Sequence, residues 1–140
     1  MHPHPTITLL TAALFLSLAG TSTAAPRDDL VANYANAAKA ADPTFAGFSA
    51  ARGKALYQQA FTGGKPDTPA CISCHDRDPR APGRTLTGKP IEPVAVSVSP
   101  KRYTDPVKLE KWFKRNCTEV MGRECTAREK GDWLSFMASQ

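Results

Sequence analysis

Apolar positions along this chain form one dense run, several helical stripes, and one long stretch with no period at all. The dense run is Ile7 to Ala19, interrupted only by Thr8, Thr11 and Ser17. An alanine-rich segment from Asp28 or Asp29 to Ala41 predicts a first helix, closed by Asp42-Pro43 because proline disfavours helix at the residue before it. Ser49, a good N-cap, opens a second predicted helix through Tyr57, and Thr62-Gly63-Gly64-Lys65-Pro66 breaks the chain after it. Between Asp76 and Thr104 stand Pro79, Pro82, Pro90, Pro93 and Pro100. They forbid a long helix and predict a wrapping loop. Asp105-Pro106 supplies an N-cap and a proline at the first helical position for a third helix predicted to reach Cys117. Thr126 and Glu129 form a capping box for a last helix with Trp133, Leu134 and Met137 on one side. No segment alternates like a strand and none repeats, so the chain reads as all-α.

The third helix has the most informative pattern. Leu109, Trp112, Phe113 and Asn116 stand at i, i+3, i+4 and i+7, which is one face. Lys108, Lys111 and Arg115 occupy another, and Glu110 and Lys114 are spaced as an i, i+4 pair. Asn116 thus continues the apolar stripe. A primary amide buried without partners costs ~1–3 kcal/mol, so Asn116 calls for a specific partner.

The run Ile7–Ala19, followed by the small residues Ser22, Thr23, Ala24 and Ala25, has the form of a secretory signal peptide over residues 1–25, although no Lys or Arg precedes it. Cleavage after Ala24 suits the small-x-small pattern better than cleavage after Ala25. The run is short of the ~20 residues of a spanning helix, and no other segment is apolar enough to span. Residues 26–140 then remain, about 115 of the 140 in the chain, the size of one domain. All charged residues lie beyond the signal, so this part keeps the formal net charge of +5. Such a modest basic surface suits an acidic redox partner. Without a basic cluster interleaved with aromatics, no nucleic-acid partner is expected. Export also implies a periplasm or its equivalent, where disulfides persist.

Within this frame Cys71-Ile72-Ser73-Cys74-His75 is the attachment signature of c-type haem. Two thiols one helical turn apart can add to the two vinyl groups of haem, and the adjoining imidazole reaches the iron as proximal ligand. Cys-x-x-Cys alone also serves thioredoxin-like and zinc sites; the adjoining histidine and the export signal favour haem. Arg77, Arg84, Lys89 and Arg102 are candidates to pair with haem propionates, or are solvated surface charges.

Ligand counting narrows the other side of the iron. His2 and His4 leave with the signal peptide, so His75 is the one histidine of the mature chain. The sixth position is then empty, water-filled, or held by another side chain. Asn116 is either a helix C-cap, since asparagine tolerates the left-handed conformation, or an amide facing the iron. Met137 falls on the core side of the last helix, whereas Met121 is placed as an ordinary His/Met cytochrome would place its ligand. Cys117 and Cys125, left over in an oxidising compartment, are expected to pair as a disulfide.

From Ala51 to Gln140 the chain resembles the sphaeroides haem protein (SHP) family of small, exported, high-spin c-type cytochromes. The matching stretches are Ala51-Arg52-Gly53-Lys54, Pro69-Ala70 with the haem motif Cys71–His75, Thr87-Gly88-Lys89-Pro90-Ile91-Glu92-Pro93, Lys111-Trp112-Phe113-Lys114-Arg115-Asn116-Cys117 and Gly122-Arg123-Glu124-Cys125-Thr126. The resemblance implies a class I cytochrome c-like helical fold around one haem c. It also implies Asn116 as sixth ligand of ferric iron, with the Cys117–Cys125 disulfide beside it. In that family the asparagine leaves on reduction and opens the iron to oxygen, nitric oxide or carbon monoxide. Associated partners are a di-haem cytochrome c and a membrane cytochrome b.

The leading expectation is therefore a ligand-binding cytochrome that accepts electrons from another cytochrome. An ordinary electron carrier with His75 and Met121, and an enzyme converting nitric oxide or oxygen, are the alternatives.

Overall fold

The computed structural model describes residues 26–140; the expected signal peptide lies outside the described residues. Its helices are α1 (Pro26–Ala41), α2 (Ala50–Gln58), α3 (Pro106–Met121) and α4 (Ala127–Ala138). The expected start signals operate at three of them. Ser49 Oγ accepts from the Arg52 amide at 3.2 Å, and the Asp105 carboxylate accepts from the Lys108 amide at 3.0 Å. Thr126 and Glu129 exchange the two bonds of a capping box, at 3.2 and 2.8 Å.

Two boundaries differ from expectation. Helix α1 already includes Pro26 and Arg27, ahead of the expected start at Asp28 or Asp29, and Pro26 is the first of the described residues. Helix α3 passes Cys117 and ends only at Met121, where Gly122 takes the left-handed conformation with φ 72°. A Cβ on Gly122 would sit 1.9 Å from the Gly63 carbonyl oxygen, so glycine is required there twice over. Within the proline-rich loop, β1 (Gly83–Arg84) pairs antiparallel with β2 (Pro90–Ile91), Gly83 opposite Ile91. These two-residue strands are too short for a sequence alternation to announce.

Helices α2 and α4 cross so closely that only glycine fits. A Cβ on Gly53 would lie 2.0 Å from the Asp132 carbonyl oxygen, and, beside the crossing, one on Gly131 would lie 2.1 Å from the ring of Phe48 in the segment before α2. The buried Asp132 carboxylate fastens the crossing: it accepts from Arg52 Nε at 2.7 Å and from the Ser49 amide at 2.7 Å. Tyr57, Leu134 and Met137 are fully buried around it, so Met137 is core.

On the other side of α4, Leu30 and Tyr34 of α1 pack with Leu109, Phe113 and Leu134. The expected Glu110–Lys114 pair is not formed. Glu110 accepts from Tyr34 Oη and, at 2.7 Å, from Lys130 Nζ, while Lys114 lies 3.6 Å from Glu124. A network that joins α1, α3 and α4 displaces a solvent-exposed i, i+4 pair that contributes only ~0.2–0.5 kcal/mol. Among the described residues no helix is long and apolar enough to cross a membrane.

Candidate functional site

A cleft of about 1420 Å³ opens between the Cys71–His75 segment, the proline-rich loop and α3. On one wall, Cys71–Ser73 form a short 3-10 helix, and the His75 amide closes it on the Cys71 carbonyl at 3.0 Å. Cys71, Cys74 and His75 are each half-buried and all line the cleft. Gly83 presses on this segment from behind. A Cβ there would meet the Cys74 carbonyl oxygen at 2.2 Å and His75 Cα at 2.9 Å, and the Arg84 amide donates to the same carbonyl at 2.7 Å. The Tyr57 ring stands 6.5 Å from the imidazole, and its hydroxyl donates to the Asp76 carbonyl.

Gly83 and Tyr57 were not singled out from sequence. The turn dipeptide Pro82-Gly83 and the place of Tyr57 one helical repeat after Gly53 were the available signals.

Burial governs the ionisation of this wall. It pushes the Cys71 thiol up to about 12 and raises the Cys74 thiol as well. Burial, and then the nearby Arg102 charge, push His75 down to about 4. At neutral pH the imidazole is therefore in its metal-binding form. The thiols are protonated, unlike the low-pKa thiolates of thioredoxin-like sites. Among the described residues no group of three His, Cys, Asp or Glu is arranged to hold a metal ion.

The opposing wall is α3. Its stripe Leu109, Trp112, Phe113 and Asn116 lines the cleft, together with Cys117. Leu109 and Phe113 are buried, whereas Trp112 and Asn116 are exposed, because part of the stripe faces the cleft instead of the helical core. Asn116 lies more than a turn before the helix end, which excludes the C-cap reading. Cys117 and Cys125 are joined as a disulfide, with Cα atoms 5.6 Å apart. Met121 is buried in the core with its Sδ 3.6 Å from Cys125 Sγ, although it also touches the cleft margin. Of the four cations considered from sequence, Lys89 and Arg102 line the cleft, and Arg77 and Arg84 do not.

The residues present fit a haem. Leu86, Val98 and Trp112, three of the large apolar side chains left exposed, all line the cleft. A flat apolar macrocycle would cover them. The two cysteines and the neutral imidazole stand on one wall, where they could bind its edge and its metal.

Comparison with known proteins gives the same direction. The family model DUF1924, a domain of unknown function, matches residues 43–137. The cytochrome c-type protein SHP of Cereibacter sphaeroides is 52% identical over 91 residues, covering 65% of this chain and 70% of that protein. Its oxidised structure, described as an oxygen binding cytochrome c, superposes with a TM-score of 0.75 and 46% identity over 81% of this chain and 96% of that chain. Cytochrome c'' of Methylophilus methylotrophus is 32% identical over 114 residues, 81% of this chain and 79% of that protein. Its oxidised crystal structure superposes with a TM-score of 0.73 and 32% identity over 82% of this chain and 94% of that chain.

Proposed function

This chain belongs to the SHP and cytochrome c'' family, with its all-α class I-like fold and covalently attached haem c, and on that premise we propose an exported, periplasmic mono-haem cytochrome in which His75 and Asn116 bind the iron. In this reading Cys71 and Cys74 form the thioethers, and His75 supplies the proximal imidazole. Haem iron contributes one-electron redox chemistry and, when ferrous, affinity for diatomic gases. The amide of Asn116 would be a weak ligand, because it is neutral, and would give way once the iron was reduced. The chain takes its electron from a partner cytochrome, a di-haem cytochrome c or a membrane cytochrome b. It then admits oxygen, nitric oxide or carbon monoxide. SHP is described as oxygen binding, and the same class of ligand suits an α3 wall in which Asn116 stands among Leu109, Trp112, Phe113 and Cys117.

One observation carries this reading: Asn116 sits mid-helix on the stripe of α3 that lines the same cleft as His75. The alternative, an electron carrier with Met121 as ligand, has weaker support. Met121 is packed in the core against the Cys125 sulfur and would have to leave it. Ferric spectra of the holoprotein separate the two. Asn116→Ala should change the bands that report the sixth ligand, whereas Met121→Leu should leave them in place; the opposite result would support methionine ligation.

A further inference from the structure

The strap from Ser99 to Thr104 forms part of the cleft wall, and one of its side chains has no counter-ion among the described residues. Arg102 is half-buried and lines the cleft. Its Nη1 donates only to main-chain carbonyls, Pro93 at 3.1 Å and Glu92 at 3.5 Å. Among the described residues no carboxylate forms an ion pair with it. The other cations of the cleft, Lys89, Lys101, Lys108 and Arg115, are all exposed to water, and Arg115 has Glu119 within 4.0 Å. The guanidinium also lies 6.0 Å from the centre of the Tyr103 ring, but none of these partners is charged, and a guanidinium partly withdrawn from water calls for an anion. The carboxylates that haem would bring into this cleft are its propionates, and a planar guanidinium matches a carboxylate with two parallel bonds.

The strap is also held in one position. Arg27, from the first turn of α1, donates Nη2 to the Pro100 carbonyl at 2.7 Å and to the Arg102 carbonyl at 3.0 Å. Tyr103 follows with φ 63°, a left-handed conformation that a bulky side chain rarely adopts. Its hydroxyl donates to the Val94 carbonyl at 2.8 Å and pins the turn. Such conformations persist where the surroundings enforce them, commonly at ligand clamps. Here the enforced turn adjoins Arg102, which lines the cleft.

We propose that Arg102 anchors a haem propionate, and that Arg27 is the positioning residue that clasps the strap carrying it. The first turn of α1, more than 70 residues away in sequence, thereby fixes a contact to the cofactor. The inference requires the haem but not the identity of its distal ligand, so it stands or falls separately from the role of Asn116.

The test uses purified holoprotein, with resonance Raman spectra of the propionate bending band and a potentiometric titration. Arg102→Gln should shift the band and favour the ferric form about tenfold, ~59 mV lower for one electron, because a positive charge on the cleft wall is lost. Arg102→Lys, which keeps the charge, should recover most of the potential. Arg27→Gln should lower the potential less while leaving haem content unchanged. An Arg102→Gln protein with normal haem content, unchanged band and unchanged potential would overturn the proposal. So would a structure of the wild-type holoprotein with both propionates beyond hydrogen-bond distance of Arg102, a result that does not depend on any variant folding.

Discussion

Gly83 and Asn116 act on the cleft from two sides, and they differ in how far a sequence discloses them. Gly83 touches the backbone of Cys74 and His75, where a methyl group would have to displace one or the other. In Gly83→Ala the thiols and the imidazole should move out of register. The expected outcome is a clear fall in the fraction of chains carrying acid–acetone-resistant haem, together with a lower melting temperature; wild-type haem content would show that the contact relaxes harmlessly. The importance of Gly83 was hidden because its neighbours are distant in sequence and belong to the loop where periodicity gives no guidance. Asn116 was readable because it repeats the spacing of Leu109, Trp112 and Phe113. A polar residue on an apolar stripe is a local signal. What periodicity left open was whether Asn116 ends the helix, and that depended on Gly122.

Helix caps were the most legible elements, since Ser49, Asp105 and Thr126 need only their own next three residues to act. The α2–α4 crossing was not, because it depends on two glycines meeting residues about 80 positions away. Gly53→Ala should destabilise the fold by about 1–3 kcal/mol or more through overpacking, read as a lower denaturant midpoint; a neutral effect would mean that α4 shifts freely. The α4 cap also gives a pH dependence. Burial raises the Glu129 carboxyl, but Arg123 and the Thr126 amide outweigh it and hold the group below its ordinary 4.5. Its folded-state pKa being depressed, its stabilising contribution is full above 4.5 and is lost as pH falls through the lower folded value. Glu129→Gln should therefore flatten the loss of stability with acid in that range, and an unchanged acid profile would discount the cap.

At the scale of the whole molecule, the haem motif and the helical class were legible because each rests on short-range spacing. The third-helix ion pairing was misread, since Glu110 finds Tyr34 and Lys130 on other helices. The Cys117–Cys125 bond ties the end of α3 to the turn before α4, across a sequence separation of 8. Because Asp105 and Gly122 already delimit α3, the bond is expected to be a staple. Cys117→Ser/Cys125→Ser should lose roughly 2–3 kcal/mol of stability in the chain-entropy model, with an unchanged ferric spectrum. A changed spectrum would instead couple the bond to the adjoining Asn116.

The central claim, that the distal side is closed by a weak amide and opens on reduction, is tested most directly by adding carbon monoxide to the dithionite-reduced holoprotein. If Asn116 yields, the Soret band shifts at once. A low-spin ferrous spectrum indifferent to carbon monoxide would contradict it and point to a ligand, such as Met121, that stays.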